Sequence, residues 1–257
     1  MRKSVCVVFL ALAALAVLPG VLSAQKPESQ MFLIVDCTVK PSMETKFWDT
    51  AKEEVAFYGK NGYPYAWKVY AAEGGHYYIV YPIKGLADID EVMKASRVIM
   101  AKDAAGYQAL SAKYTGTYES YKVMTFTFRP ELSMIPENPY YAPAETNFIC
   151  LDIWSGEPEK EAEFENISKE MMALTKKKGV RDTWYCLAGG LGTDQPVYVM
   201  ASPDKDETEF IKHNADMWKL LGDEITPLYQ KGLSLCRKRE TRRLWYQAEL
   251  SYTPAKE

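Results

Sequence analysis

One stretch of this chain is written twice. Gly62, Trp67, Ala71 and Gly75 recur as Gly179, Trp184, Ala188 and Gly192, each 117 residues further on. Chance seldom keeps four such positions in register. A glycine after a helix, a tryptophan in the next strand and a glycine at the following turn are structural punctuation, so the repeat constrains architecture before function. Upstream of each set lies an apolar strand, FLIVD at Phe32–Asp36 and FICLD at Phe148–Asp152, and these match once one residue is inserted. A chain of 257 residues built this way holds two units of roughly 100 residues each.

The pattern within each copy predicts its elements. Met31–Lys40 is apolar and β-branched, a strand. Pro41 then opens a helix in which Met43, Phe47, Ala51, Val55 and Tyr58 recur at helical spacing, and Gly62 stops it. Strands are expected at Tyr63–Ala71 and His76–Ile83, a helix broken near Gly106 at Asp88–Tyr114, and a fourth strand at Tyr118–Phe128. The second copy repeats this with a strand at Phe148–Trp154, a helix at Pro158–Lys178, strands at Thr183–Ala188 and Val197–Ala201, a helix at Glu207–Leu233 and a strand at Arg242–Tyr252. The order β-α-β-β-α-β is the ferredoxin-like plan, with helices on one face of a four-stranded antiparallel sheet. The expected units run from 31 to 129 and from 147 to 254, and the proline-rich stretch 130–146 links them.

A sheet covered on one side only should alternate apolar with polar residues. These strands do not. Leu33, Val35, Cys37 and Val39 form one face of the first strand, yet Phe32 and Ile34 make the other apolar as well, and Tyr77, Ile79 and Tyr81 back onto Tyr78 and Val80. Both faces are expected to be buried, one under helices and the other against the second sheet. The chain is therefore read as α+β, two tandem ferredoxin-like units packed sheet to sheet. In this it resembles the dimeric α/β-barrel superfamily, here in a tandem form within one chain. That superfamily includes antibiotic-biosynthesis-type and haem-degrading monooxygenases, chlorite-dismutase-like haem proteins and stress-responsive barrel proteins. The resemblance implies a cavity between the sheets and leaves the activity open.

The N-terminus adds an address. Arg2 and Lys3 precede an apolar run from Val5 to Leu18, broken by Pro19 and Gly20 before small residues, so 1–24 reads as a signal peptide cleaved after Ser23 or Ala24. The expectation is an exported protein, periplasmic or extracellular, with no membrane span after cleavage. Of the five cysteines, Cys37, Cys150, Cys186 and Cys236 remain after it. None lies in a metal-binding or redox spacing, and disulfides and buried thiols both stay open. A net charge of −3 argues against nucleic acid as a partner.

No nucleophile elbow, phosphate-binding loop, zinc-protease motif or dinucleotide fingerprint is present. Candidate chemistry rests on scattered residues. Asp36 and Asp152 are placed by the strand match at the same point of the two copies; a carboxylate on an apolar face needs a partner or ligand, although a strand-end hydrogen bond would also satisfy it. His76 is the third catalytic candidate. Trp67, Trp184 and Tyr78 are candidates to line a cavity for a flat ligand, or simply to fill a core. From the basic run Arg237, Lys238, Arg239, Arg242 and Arg243, which could hold an anion or guard a sheet edge, Arg243 is counted with the ligand residues. In the haem-binding relatives the axial histidine comes from a comparable late helix. That resemblance makes His213 the residue to examine for haem, although the matching first helix, DEVMKASRVIM, has no histidine.

The reading that follows is an exported protein whose inter-sheet cavity binds a small apolar or aromatic ligand. Two alternatives stand beside it: a monooxygenase-type enzyme, cofactor-free or haem-dependent, and a structural or partner-binding envelope protein with a filled barrel. No metal site is expected. One chain should suffice to close the barrel, with further association left open.

Overall fold

A computed structural model describes residues 30–255. The signal-like segment 1–24 lies outside them. The first copy runs β1 (Met31–Val39), α1 (Glu44–Asn61), β2 (Lys68–Ala72), β3 (His76–Ile83), α2 (Ala87–Lys102), α3 (Ala104–Tyr114) and β4 (Tyr118–Phe128). The second runs β5 (Phe148–Gly156), α4 (Glu161–Lys177), β6 (Tyr185–Gly189), β7 (Val197–Asp204), α5 (Glu207–Leu221), α6 (Thr226–Ser234) and β8 (Cys236–Tyr246). The eight strands form one closed antiparallel barrel in the order β1-β3-β2-β8-β5-β7-β6-β4. Each copy contributes four adjacent strands, and two seams join them. Tyr70–Ala72 pair with Leu244–Tyr246, and Phe126–Phe128 pair with Leu187–Gly189.

Closure explains why both strand faces are apolar. Phe32, Ile34 and Asp36 face the barrel interior with Ile149, Leu151 and Ile153. On the outer face Cys37 and Val39 pack with Phe47, Ala51 and Tyr58 of α1, and Leu33 packs with Val92 of α2. Gly62, with φ of 76°, ends α1 in the left-handed conformation that only glycine adopts cheaply.

The interior residues correct the strand match. Phe32, Ile34 and Asp36 correspond to Ile149, Leu151 and Ile153, an offset of 117, the same as for the glycines. The bulges agree, since register shifts fall at Thr38/Val39 and at Ser155/Gly156. FLIVD and FICLD are alike only in a frame one residue out. In a strand, a slip of one residue turns every side chain to the other face.

Other boundaries moved for local reasons. The strand expected from Tyr63 begins at Lys68, because Pro64 cannot donate to a ladder and Tyr63 and Trp67 are taken into the helix-covered core. The break in the first long helix falls at Asp103, whose carboxylate accepts from the Gly106 amide at 3.0 Å, so Gly106 lies in the first turn of α3. The helix expected at Glu207–Leu233 is divided at Gly222, and α4 starts at Glu161 rather than Pro158. The last strand is β8, six residues earlier than expected. Residues 248–250 form a 3-10 turn, and Tyr252 bridges to Trp67.

Candidate functional site

The barrel encloses a cavity of 390 Å³. Its wall is largely apolar, with Phe32, Ile34, Val80, Phe126, Leu151 and Val199 among the lining residues. The charged groups gather near one mouth, where β1 and β5 end and where β3, β4 and β8 begin. Antiparallel register puts Asp36 beside Tyr78 on one side and Lys122 on the other. Alternation along β8 turns Lys238, Glu240 and Arg242 inward, so two of the five basic residues of the run line the cavity rather than guarding an edge.

Asp36 is the centre of this group. Its Oδ1 lies 2.7 Å from Nδ1 of His76, and its Oδ2 lies 3.7 Å from the Arg242 guanidinium. A carboxylate only accepts, so Nδ1 of His76 donates the bond and Nε2 is left as the basic nitrogen of the neutral ring. Arg242 also donates to the Tyr78 hydroxyl. The Tyr78 and His76 rings run nearly parallel, 13° apart with centroids at 6.2 Å. Burial, with Asp36 close by, pushes the Tyr78 phenol up to about 12 against the opposing pull of Arg242, so the hydroxyl keeps its proton at neutral pH. Arg242 is held above its ordinary value; burial opposes its charge, but the Tyr78 and Asp36 oxygens outweigh it.

The structure thus unites Asp36, His76 and Tyr78 from the candidate set, and adds Arg242 and Lys122. It scatters the others. Asp152 faces outward with Phe148 and Cys150, where its Oδ2 accepts from Arg239 at 2.8 Å and its Oδ1 lies 2.8 Å from the same guanidinium without a hydrogen bond. Burial raises its pKa despite that partner. Trp67 sits under α1, its indole N–H donating to the Leu250 carbonyl at 2.9 Å, with Tyr58, Tyr63 and Tyr252 around it. Arg243 faces outward between Glu73 and Glu207. Trp184 lines a second cavity, outside the barrel. In the sequence Arg242 is named within the basic run but Arg243 is singled out instead, because charges at both parities mask the strand; once that strand is known, the even-numbered alternation of Arg242 with Lys238 and Glu240 is the signal.

The surroundings of His213 do not suit haem. Its Nδ1 lies 2.9 Å from Asp204 and its Nε2 lies 3.4 Å from Glu209, while Tyr140 stacks on the ring at 3.7 Å between centroids. Both nitrogens face carboxylates and one ring face is covered, so the residues present do not fit an axial ligand. Among the described residues, no group of three His, Cys, Asp or Glu side chains is arranged to hold a metal ion. The four cysteines among the described residues are free thiols. Burial pushes Cys37, Cys150 and Cys236 up to about 11, which leaves them inert.

No family model matches the sequence, and no curated protein matches it. Solved structures do match the fold. A structure described as an "anthrone oxidase-like protein" superposes with a TM-score of 0.58 at 10% identity, covering 87% of this chain and 92% of that one. A "putative monooxygenase" from Fusobacterium nucleatum gives 0.52 at 14% identity, over 84% and 92%. Another of the same description, from Lactobacillus acidophilus NCFM, gives 0.51 at 10% identity, over 88% and 97%. At these identities the likeness speaks to fold alone. The chain shares the fold of these structures, and all eight strands of its closed antiparallel barrel are supplied by one polypeptide.

Proposed function

We propose that the barrel cavity is a monooxygenase-type active site that acts, without a cofactor, on a small aromatic substrate bearing an acidic C–H conjugated with an oxygen function. The observation that carries this reading is the 2.7 Å pair that Asp36, in the wall of an apolar cavity, makes with His76, with Arg242 and Tyr78 of the same wall beside it. Asp36 fixes the tautomer, and Nε2 of His76 takes a proton from the substrate. The charge left behind spreads onto the substrate oxygen. Arg242 and the protonated Tyr78 hydroxyl are donors for that oxyanion. Dioxygen is the oxidant: a methylene R₂CH₂ and O₂ yield R₂C=O and H₂O, one oxygen atom going to each product, so no outside reductant is required. The names carried by the structural neighbours support this class of reaction.

Oxygen uptake tests the reading, with anthrone and hydroxynaphthalenes as probes. The expected result is turnover by the wild type and a fall in kcat of about 10²–10⁴-fold in His76→Ala, with probe binding retained. Saturable binding with no oxygen uptake by the wild type would make the cavity a binding site and overturn the enzyme. Uptake undiminished in His76→Ala would remove the base.

A further inference from the structure

The second cavity, of 410 Å³, lies outside the barrel beneath residues 135–146. That segment folds over β6, the end of β7 and α5, and is held down rather than loose. Met134 and Trp184 exchange backbone hydrogen bonds, and Tyr140 is stacked between His213 and the Arg181 guanidinium, which lies 4.6 Å from its ring centroid. Tyr141, Trp184, Tyr185, Phe210 and Met217 supply apolar wall. Tyr185 and Pro203 also line the barrel cavity, so the two spaces share a partition.

The charges in this space do not balance. Asp204 is spent, its Oδ2 on His213 and its Oδ1 on the Lys205 amide. Arg181 is the one Lys or Arg of the lining, and its guanidinium is turned to the carbonyls of Asn138 and Pro139 at 2.9 and 3.3 Å. Glu137 and Asp182 remain, and no cation among the described residues forms an ion pair with either; Glu137 is exposed, whereas Asp182 is half-buried against the aromatic wall. We propose that this cavity is a binding site for a small organic cation, an ammonium on an apolar or aromatic body, whose charge is met by Asp182 and whose body lies against the aromatic wall.

The chemistry favours that class over others. An inorganic cation would need several converging oxygen ligands, and among the described residues no group of three His, Cys, Asp or Glu side chains is arranged to hold one. An anion would meet Asp182 and Glu137 with no unengaged partner. An alkyl or aryl ammonium satisfies the acid while its body takes the place of water against Trp184 and Phe210. Burial holds the Asp182 carboxyl up at about 6, with His213 drawing it down and Asp204 and Asp216 pushing it up. The group is therefore ionised at pH 7.5 and neutral at pH 5, and cation binding should follow it.

Titration calorimetry with benzylamine, benzyl alcohol and benzoate decides the matter. Benzylamine should bind at one saturable site at pH 7.5, benzyl alcohol and benzoate about tenfold more weakly or not at all, and the benzylamine affinity should fall about tenfold at pH 5. Asp182→Asn should lose about tenfold in benzylamine affinity while unfolding at the wild-type temperature or above, because a half-buried charge has been removed. Arg242→Met, which alters only the barrel site, should leave it unchanged. Equal binding of benzyl alcohol, an unaltered affinity in Asp182→Asn, or loss of binding in Arg242→Met would overturn the proposal. None of these results depends on oxygen chemistry in the barrel.

Discussion

At the scale of single residues, the two strand-borne acids show how much rides on one position. Asp36 and Asp152 are both fifth in a five-residue apolar match, yet one faces the cavity and the other faces away from it. The difference is a frame of one residue in a structure whose side-chain period is two. Asp36 orients a histidine; Asp152 anchors Arg239, whose guanidinium also lies over the Trp154 ring at 5.1 Å. If the barrel is the active site, Asp36→Asn should lower turnover about tenfold or more by loosening the His76 tautomer. Asp152→Asn should leave kcat and KM unchanged. Parallel steady-state kinetics of the two variants check this, and equal losses in both would mean that the loss is structural rather than chemical.

Among the elements, β8 bears the most on the site and was the hardest to read. Its sequence, CRKRETRRLWY, carries charges at both parities, so it lacks the alternation by which a strand is usually recognised. Each parity has its own use. Lys238, Glu240 and Arg242 line the cavity, while Arg237 is held by the Gly156 carbonyl, Arg239 by Asp152 and Arg243 by Glu73 and Glu207. The strand then turns apolar at Leu244 to reach β2. Each seam has only three residue pairs, so packing must carry what the short ladder cannot. At the β4–β6 seam Phe128 is 2% exposed and its ring meets Tyr185 at 6.0 Å. Phe128→Ala should cost about 3–5 kcal/mol, read from the denaturant midpoint. A cost under about 1 kcal/mol would show that the seam is not closed in solution.

At the scale of the whole molecule, closure within one chain has a thermodynamic consequence. Both halves of the barrel are on one polypeptide, so their encounter is intramolecular, at an effective concentration in the ~mM range. Folding should then be independent of protein concentration. The unfolding temperature should stay constant over a hundredfold dilution while native mass reports a monomer. A midpoint that falls with dilution, in step with loss of a dimer, would mean that association is part of folding. Among the described residues, no helix is long and apolar enough to cross a membrane.

The repeat, the two-sided apolar strands and the glycine punctuation determined the fold, because they report burial and backbone conformation, which are local properties visible in a one-dimensional pattern. His76, Tyr78 and Asp36 were legible as candidates for the same reason, since each stands out against an apolar strand. What only the tertiary structure decided was which candidates meet. Asp36 and Arg242 are 206 residues apart in the chain, and they are brought together by the circular order of strands and by the register of β8, to which no periodicity in the sequence points. The cavity beneath 135–146 belongs to the same class. A proline-rich stretch reads as a linker because proline breaks regular elements. That it packs down over Trp184 and His213, and leaves Asp182 without a counter-charge, depends on surfaces that exist only once the second sheet has formed.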